Sequence, residues 1–271
     1  MSYETTGRGA LDYFPCRYGK SRLVFRGPKR SLTGDYALFL GGTETYGRFV
    51  AQPFPALIEA ETGVACVNFG WPNAGVDAFL NDGTVLEAAA QARVTVVQAM
   101  GAQNMTNRYY SVHPRRNDRF LTPSPLMRQA FRDVDFTEFH FNRHMLSRLR
   151  QVAPDRYAVL RDALKDVWLL RMRQLLRQIG GRTILLWFAD HAPEQEAGDP
   201  LFVDRRMIEA LRPLASEVVE VVASAQALTQ GTEGMVFSPL ERPVAAGMMG
   251  PAAHREVAAR LAEPLRRLMV R

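Results

Sequence analysis

The stretch that decides the fold runs from Tyr36 to Gly75: YALFLGGTETYGRFVAQPFPALIEAETGVACVNFGWPNAG. Ala37-Leu38-Phe39-Leu40 is short and wholly apolar, the pattern of a strand buried on both faces. It breaks at Gly41-Gly42-Thr43-Glu44-Thr45-Tyr46-Gly47. Pro53 to Thr62 then has helical spacing and stops at Gly63. Val64 to Phe69 reads as a second buried strand, closed by Gly70. Strand, Gly-rich loop, helix and strand make one βαβ unit. Ligands of open α/β sheets bind at the carboxyl ends of the strands, so residues 41–47 are the first place to seek chemistry.

Outward from this unit the same alternation continues. Val85–Ala92 is an Ala-rich helix, and Val94–Met100 is a β-branched strand that ends at Gly101-Ala102-Gln103-Asn104. Helices are expected over Glu138–Val152 and Asp155–Ile179, with Gly180-Gly181 as the stop. Thr183–Ala189 is the fourth strand, ending at Asp190-His191. Asp204–Leu214 is a helix, Val218–Val222 the fifth strand, and Ala252–Met269 a helix with Val257, Leu261, Leu265 and Leu268 on one face. Five buried strands alternating with helices predict a doubly wound, mostly parallel, flavodoxin-like sheet, with the first strand at its centre. This domain would span 36–271. Residues 105–150 form a helical and loop cap over the strand ends, and residues 1–35 an irregular arm in which Ser21–Phe25 adds a short edge strand.

Composition sets the outer bounds. The 271 residues suffice for one α/β domain with an insertion. No run approaches the roughly 20 apolar residues of a membrane span, and residues 1–15 lack the pattern of a signal peptide. The two cysteines, Cys16 and Cys66, predict no disulfide and a cytoplasmic protein. The net charge is +6, carried almost entirely by arginine, with lysine at 20, 29 and 165 only. This excess reflects either coding bias or an anionic ligand, since the planar guanidinium pairs bidentately with carboxylate, phosphate or sulfate. No stripe of interleaved basic and aromatic residues supports nucleic-acid binding. Gly19-Lys20-Ser21 lacks the preceding glycine and strand of a phosphate loop. The basic residues Arg17, Lys20, Arg22, Arg26, Lys29 and Arg30 read as a solvated face. No cofactor and no metal are expected. His140 and His144 have ligand spacing on a predicted helix but no accompanying carboxylate pattern.

Four blocks resemble the SGNH (GDSL-type) hydrolases. Leu40 to Gly47 resembles the first block of that family, Asn68 to Gly75 the second and Gly101 to Asn104 the third. Pro251 to Ala258 is similar to the stretch after the family's catalytic Asp-x-x-His. The match covers about 36–104 and 183–270. It implies the SGNH fold, with Thr43 in the place of the nucleophilic serine and Gly42 in that of the preceding aspartate. Asn73 or Gly75 falls at the second-block glycine, and Gln103 with Asn104 at the third-block asparagine. The family's histidine falls near Met248 and its aspartate near Ala245, neither of which can take a proton.

A base must then come from elsewhere: His191 beside Asp190 (neighbours expected to point to opposite sides of the strand), His254 in the first turn of the last helix, or Glu44 in the nucleophile loop. Arg108, His113, Arg115 and Arg116 in the cap supply anion-binding groups. Two functions stay open. One is an esterase or acyltransferase acting on an O-acylated, anionic carbohydrate through Thr43, with Gln103 and Asn104 as oxyanion donors. The other is a non-catalytic module that holds an anionic sugar or phosphate ligand.

Overall fold

The computed structural model describes residues 11–195 and 198–270; the first ten residues of the arm lie outside it. Strands β1 (Tyr36–Gly41), β2 (Ala65–Gly70), β3 (Val94–Gln98), β6 (Thr183–Ala189) and β7 (Glu217–Val222) form one all-parallel sheet in the order β2-β1-β3-β6-β7. Strands β4 (Tyr110–His113) and β5 (Arg116–Pro123) form a separate antiparallel hairpin. The helices, in chain order, are α1 (Thr43–Tyr46), α2 (Phe54–Thr62), α3 (Val76–Leu80), α4 (Gly83–Gln91), α5 (Pro125–Ala130), α6 (Asn142–Val152), α7 (Pro154–Ile179), α8 (Arg205–Glu209), α9 (Ala225–Gln230), α10 (Arg242–Ala245) and α11 (Pro251–Val270).

The sheet is buried on both faces because successive residues of each apolar run point to opposite sides. Leu38, Leu40, Val97, Leu185 and Trp187 pack with the face covered by α3, α4, α6 and α7. Ala37, Phe39, Val96, Ile184, Leu186 and Phe188 pack with Phe54 and Ile58 of α2 and Val257, Leu261 and Leu265 of α11. The long α7 buries Leu160, Leu164, Trp168, Met172, Leu175 and Ile179 at helical spacing. It ends where Gly180 takes a left-handed φ of 64°.

The doubly wound α/β class predicted from the strand runs is the class observed, but its centre is β3 rather than β1. The chain lays β2 on one side of β1 and then returns to place β3 on the other. Connections on both sides of β1 create a topological switch point between β1 and β3, where a crevice must open at the strand ends. The expected edge strand at Ser21–Phe25 reduces to a single bridge between Cys16 and Phe25. The arm packs inward all the same: Tyr18, Leu23 and Phe25 are buried, and the Phe25 ring stacks on Phe69 at 4.1 Å. Arg26 is also buried and not on a solvated face. Its guanidinium donates to the carbonyls of Tyr46, Gly47, Val50 and Ala51 at 2.5–3.1 Å. Cys16 and Cys66 are free thiols. Among the described residues no helix is long and apolar enough to cross a membrane.

Candidate functional site

The first wall is the turn after β1. Gly41 is required there because a Cβ would overlap the side chains of Thr45 and Gln98. Gln98 closes β3 directly opposite. Its Oε1 accepts from Gly42 N at 3.1 Å, Thr45 N at 3.3 Å and Thr45 Oγ1 at 2.6 Å. Its Nε2 donates to Glu44 Oε2 at 3.1 Å. One carboxamide thus ties the two strand ends together across the switch point and satisfies amides at the start of α1.

The second wall is the turn after β2. Asn73 sits at φ 56°, a left-handed conformation that asparagine tolerates better than most side chains. Its N–H donates to Thr43 Oγ1 at 3.0 Å, and the Thr43 hydroxyl faces Asn73 Oδ1 at 3.4 Å. Gly75 has no room for a side chain, since a Cβ would overlap the Asn104 carbonyl. Its N–H is taken by Asn117 Oδ1 at 2.9 Å. Asn104 Nδ2 donates to the Asn73 carbonyl at 3.0 Å, and its Oδ1 accepts from Asn142 Nδ2 at 3.1 Å. Gly42–Thr43, Asn73–Gly75 and Gly101–Asn104, predicted at one sheet edge, therefore surround one space.

That space is a cavity of about 680 Å³. Glu44, Asp118, Asp190 and Asp199 bring carboxylates to its lining, and Gln98, Gln103, Asn73 and Asn104 bring amides. Phe141, Phe188, Val244, Gly247 and Met249 form its apolar parts. Arg143, at the start of α6, lines it too and pairs with both oxygens of Asp199 at 2.6 and 2.5 Å. The cap contributes through Asp118, Phe141 and Arg143. Among the described residues no group of three His, Cys, Asp or Glu side chains could hold a metal ion.

Several candidates lie elsewhere. His254 is 1% exposed, packed on the rings of Phe54 and Phe188, and Nδ1 accepts the Phe54 N–H at 3.2 Å. Burial pushes its pKa down to about 3, so it stays neutral and apart from the cavity. Its stabilising effect is present above the ordinary 6.5 and is lost as pH falls toward 3. His191 lies against a smaller recess beside Tyr157 and Phe202 rather than in the main cavity. Contrary to the expected opposite orientation, it does touch its neighbour: Nδ1 meets Asp190 Oδ1 at 2.6 Å. The strand has ended at Ala189, so strand alternation no longer separates the two. Arg108, His113, Arg115 and Arg116 do not line the cavity. Arg108 lies over the Tyr109 ring, and His113 Nδ1 accepts the N–H groups of Arg115 and Arg116 at the hairpin tip. The hairpin tip sits beside the turn after β2, where the Arg115 carbonyl accepts the Trp71 Nε1–H at 2.8 Å, and these side chains stay outside the lining. His140 precedes α6, so it and His144 do not share a helical face.

Glu44 carries the main electrostatic perturbation of the site. Burial raises its pKa above the ordinary 4.5, and the charge of Asp199 adds to the shift, against the opposing hydrogen bonds of Gln98 and its own backbone N–H and the charge of Arg143. The folded chain therefore holds a proton that the unfolded chain releases. This contribution to stability is complete below 4.5 and is lost as pH rises through the folded value. Glu44→Gln is expected to flatten that descending limb. Urea midpoints of both proteins between about pH 4 and about pH 8 check it, because their difference cancels Asp77, which is raised in the same direction. Parallel curves would show that Glu44 titrates normally.

The cavity also depends on residues that the sequence did not single out: Gln98, Asn117, Asp118, Asn142, Arg143 and Asp199. Only Gln98 carried a local signal, as the polar residue closing the β-branched run Val94–Val97. The others reach the site through contacts 25 to 96 residues distant in the chain.

Fold and site together define a doubly wound α/β protein with an amide-rich, carboxylate-lined cavity at its switch point. The chain belongs to the family described as Domain of unknown function (DUF6473), whose model matches residues 1–269. No curated protein matches it. Among solved structures, a gut microbial diltiazem-metabolizing enzyme is similar over 85% of this chain and 46% of that chain, at 12% identity and a TM-score of 0.36. The chain thus spans less than half the length of that enzyme.

Proposed function

We propose that the chain binds a small polar molecule in the strand-end cavity and does not hydrolyse esters by a serine-type route. The observation that carries this reading is the engagement of the Thr43 hydroxyl. It accepts the Asn73 N–H, and its hydrogen-bond partner side chain is an amide, not a base. A threonine hydroxyl is a weak nucleophile without a positioned base. Where the resemblance places the family's Asp and His, the cavity is walled by Val244, Gly247 and Met249. The volume lies in the range of small-ligand pockets.

A thermal-shift screen of small polar metabolites tests the binding reading on wild type and Val244→Trp. Val244 is 41% exposed at the cavity edge, so a tryptophan there obstructs entry without displacing the core. Hits that stabilise wild type and lose their effect in Val244→Trp support the reading. Hits that stabilise both proteins equally place binding elsewhere and sink it.

The second reading is an SGNH-like esterase or acyltransferase on an O-acylated carbohydrate. The shared position of Thr43 and Glu44 in the cavity favours it, because a raised-pKa carboxyl beside a hydroxyl suits proton transfer. Here Thr43→Ser keeps or raises turnover of aryl acetates and acetylated sugars, and Thr43→Ala lowers it by about three orders of magnitude or more. The binding reading expects no turnover above buffer from wild type or Thr43→Ala. A gain in Thr43→Ser alone would mark a retained site whose nucleophile has been retired.

A further inference from the structure

The recess that His191 lines has a volume of about 270 Å³. Gly198 and Pro200, in the loop after β6, line both it and the main cavity, so the two spaces share a wall. Tyr157 and Ala158 from the start of α7 line it, together with Phe202 and Val203 of the loop. The Tyr157 and Phe202 rings meet edge to face at 6.2 Å. Phe202 holds a φ of 67°, a left-handed conformation that a bulky side chain adopts only at a cost. The loop thus keeps an aromatic wall in place against its backbone preference.

Among the described residues of this lining, His191 is the polar side chain that is deeply buried, at 7% exposed. Its ring is fixed from two sides. Nδ1 meets Asp190 Oδ1 at 2.6 Å, and the ring packs edge-on against Trp187 at 5.7 Å. Trp187 Nε1 also donates to the His191 carbonyl at 2.9 Å. A carboxylate only accepts, so the hydrogen sits on Nδ1, and in the neutral ring Nε2 keeps its lone pair. Among the described residues no group donates to that nitrogen. Nε2 is not enclosed by protein, and the ring lines the recess, so the lone pair opens into it.

We infer that this recess is a second binding site, separate from the strand-end cavity, for a small uncharged phenol. The phenol ring lies against Tyr157 and Phe202, and its hydroxyl donates to His191 Nε2. A flat apolar body suits the aromatic wall, and a single donor answers the single buried acceptor. Asp190, whose carboxylate lines the main cavity, acts here from behind by fixing the imidazole tautomer. An anion suits the recess less well. Arg150 is exposed and Arg161 already pairs with Asp162 at 3.1 Å, while the buried end of the recess presents a lone pair.

Phenol, anisole and benzoate, titrated into the full chain at about pH 8, above the ordinary histidine range, separate the possibilities. Anisole keeps the ring and the oxygen but has no hydrogen to donate, and benzoate replaces the hydroxyl with a charge. Phenol is expected to bind about three- to tenfold tighter than anisole, with benzoate weakest. His191→Phe should erase the preference and leave phenol and anisole within about twofold of each other. Ala158→Phe fills the recess from a partly exposed position on α7 and should weaken both by about tenfold or more. In protein labelled with ¹⁵N-histidine, the Nε2 resonance missing from His191→Phe should move on adding phenol and stay in place on adding anisole. That shift is read in the wild-type fold and does not depend on the stability of a variant. Equal affinity for phenol and anisole would overturn the assignment, because water would then serve Nε2. Benzoate binding tighter than phenol would overturn it too. Absence of phenol binding, or phenol binding that Ala158→Phe leaves intact, would remove the site. The metabolite screen on Val244→Trp reports on the other cavity, so the two readings fail separately.

Discussion

Gln98→Leu is expected to lower stability by about 2–4 kcal/mol, a fall of roughly 5–15 °C in the unfolding midpoint for a chain of this size. Leucine fills a similar volume but accepts nothing. It leaves Gly42 N, Thr45 N and Thr45 Oγ1 without the oxygen they share. Each orphaned donor costs about 1–3 kcal/mol, and the three costs overlap because they belong to one turn. Glu44 also loses the Gln98 amide bound to its Oε2. The site should fail with the fold, since the amide joins the end of β1 to the end of β3. Gln98→Glu provides the control: it keeps an acceptor for the Gly42 and Thr45 donors but sets a second carboxylate beside Glu44. It should melt closer to wild type than the leucine variant does. Thermal and urea unfolding of the three proteins decide this. A leucine variant that melts with wild type would mean that water entering through the cavity replaces the amide.

Arg26→Met is expected to cost about 3–5 kcal/mol, comparable to breaking a buried charged network. The guanidinium reaches four carbonyls in the loop that leads from α1 to α2. Methionine matches the aliphatic stem of the side chain and supplies no donor. The carbonyls of Gly47 and Val50, whose bonds to Arg26 are buried, would lose those donors. Arg26→Lys should recover less than half of the loss, because one ammonium point cannot replace a planar fork that spans four acceptors. The same loop holds α1 against the cavity, so ligand affinity should fall in both variants. Urea midpoints, together with titration of a screening hit, measure the two effects. Full rescue by lysine would show that charge alone matters and that the fork does not organise the loop.

These two residues show where local sequence patterns end. Gln98 could be noticed as a polar residue closing an apolar strand, but its partners at 42, 44 and 45 could not be read from periodicity. Arg26 looked like one of six solvated arm cations. Only the packed structure shows that the arm folds inward and that one of those cations replaces missing backbone donors. The cap hairpin was read as loop for a different reason. β4 and β5 pair with register shifts between Ser111 and His113, and such irregularities erase the period-two pattern that marks a strand. The long crossover helix and the buried strands were legible because their apolar residues repeat at 3.6 and fill both faces of the sheet. Boundaries moved by a few residues: β3 ends at Gln98 rather than Met100, and α6 begins at Asn142 rather than Glu138.

The sequence by itself determined that five apolar strands alternate with helices. It also determined that the turns at 41–47, 73–75 and 101–104 fall at the same sheet edge. Parallel strands buried on both faces all present their carboxyl ends on one side, so strand order is not needed for that conclusion. Tertiary structure alone decided that β3 is central, that the crevice opens between β1 and β3, and which groups line it. Asp118, Arg143 and Asp199 arrive from the hairpin, from α6 and from the loop after β6, on segments whose local patterns carry no record of one another. The electrostatic character of the cavity depends on this convergence. A net positive chain folds so that its arginines, Arg143 apart, stay out of the cavity lining, while carboxylates gather at the strand ends. Charge counted along a sequence has no direction, and only packing gives it one.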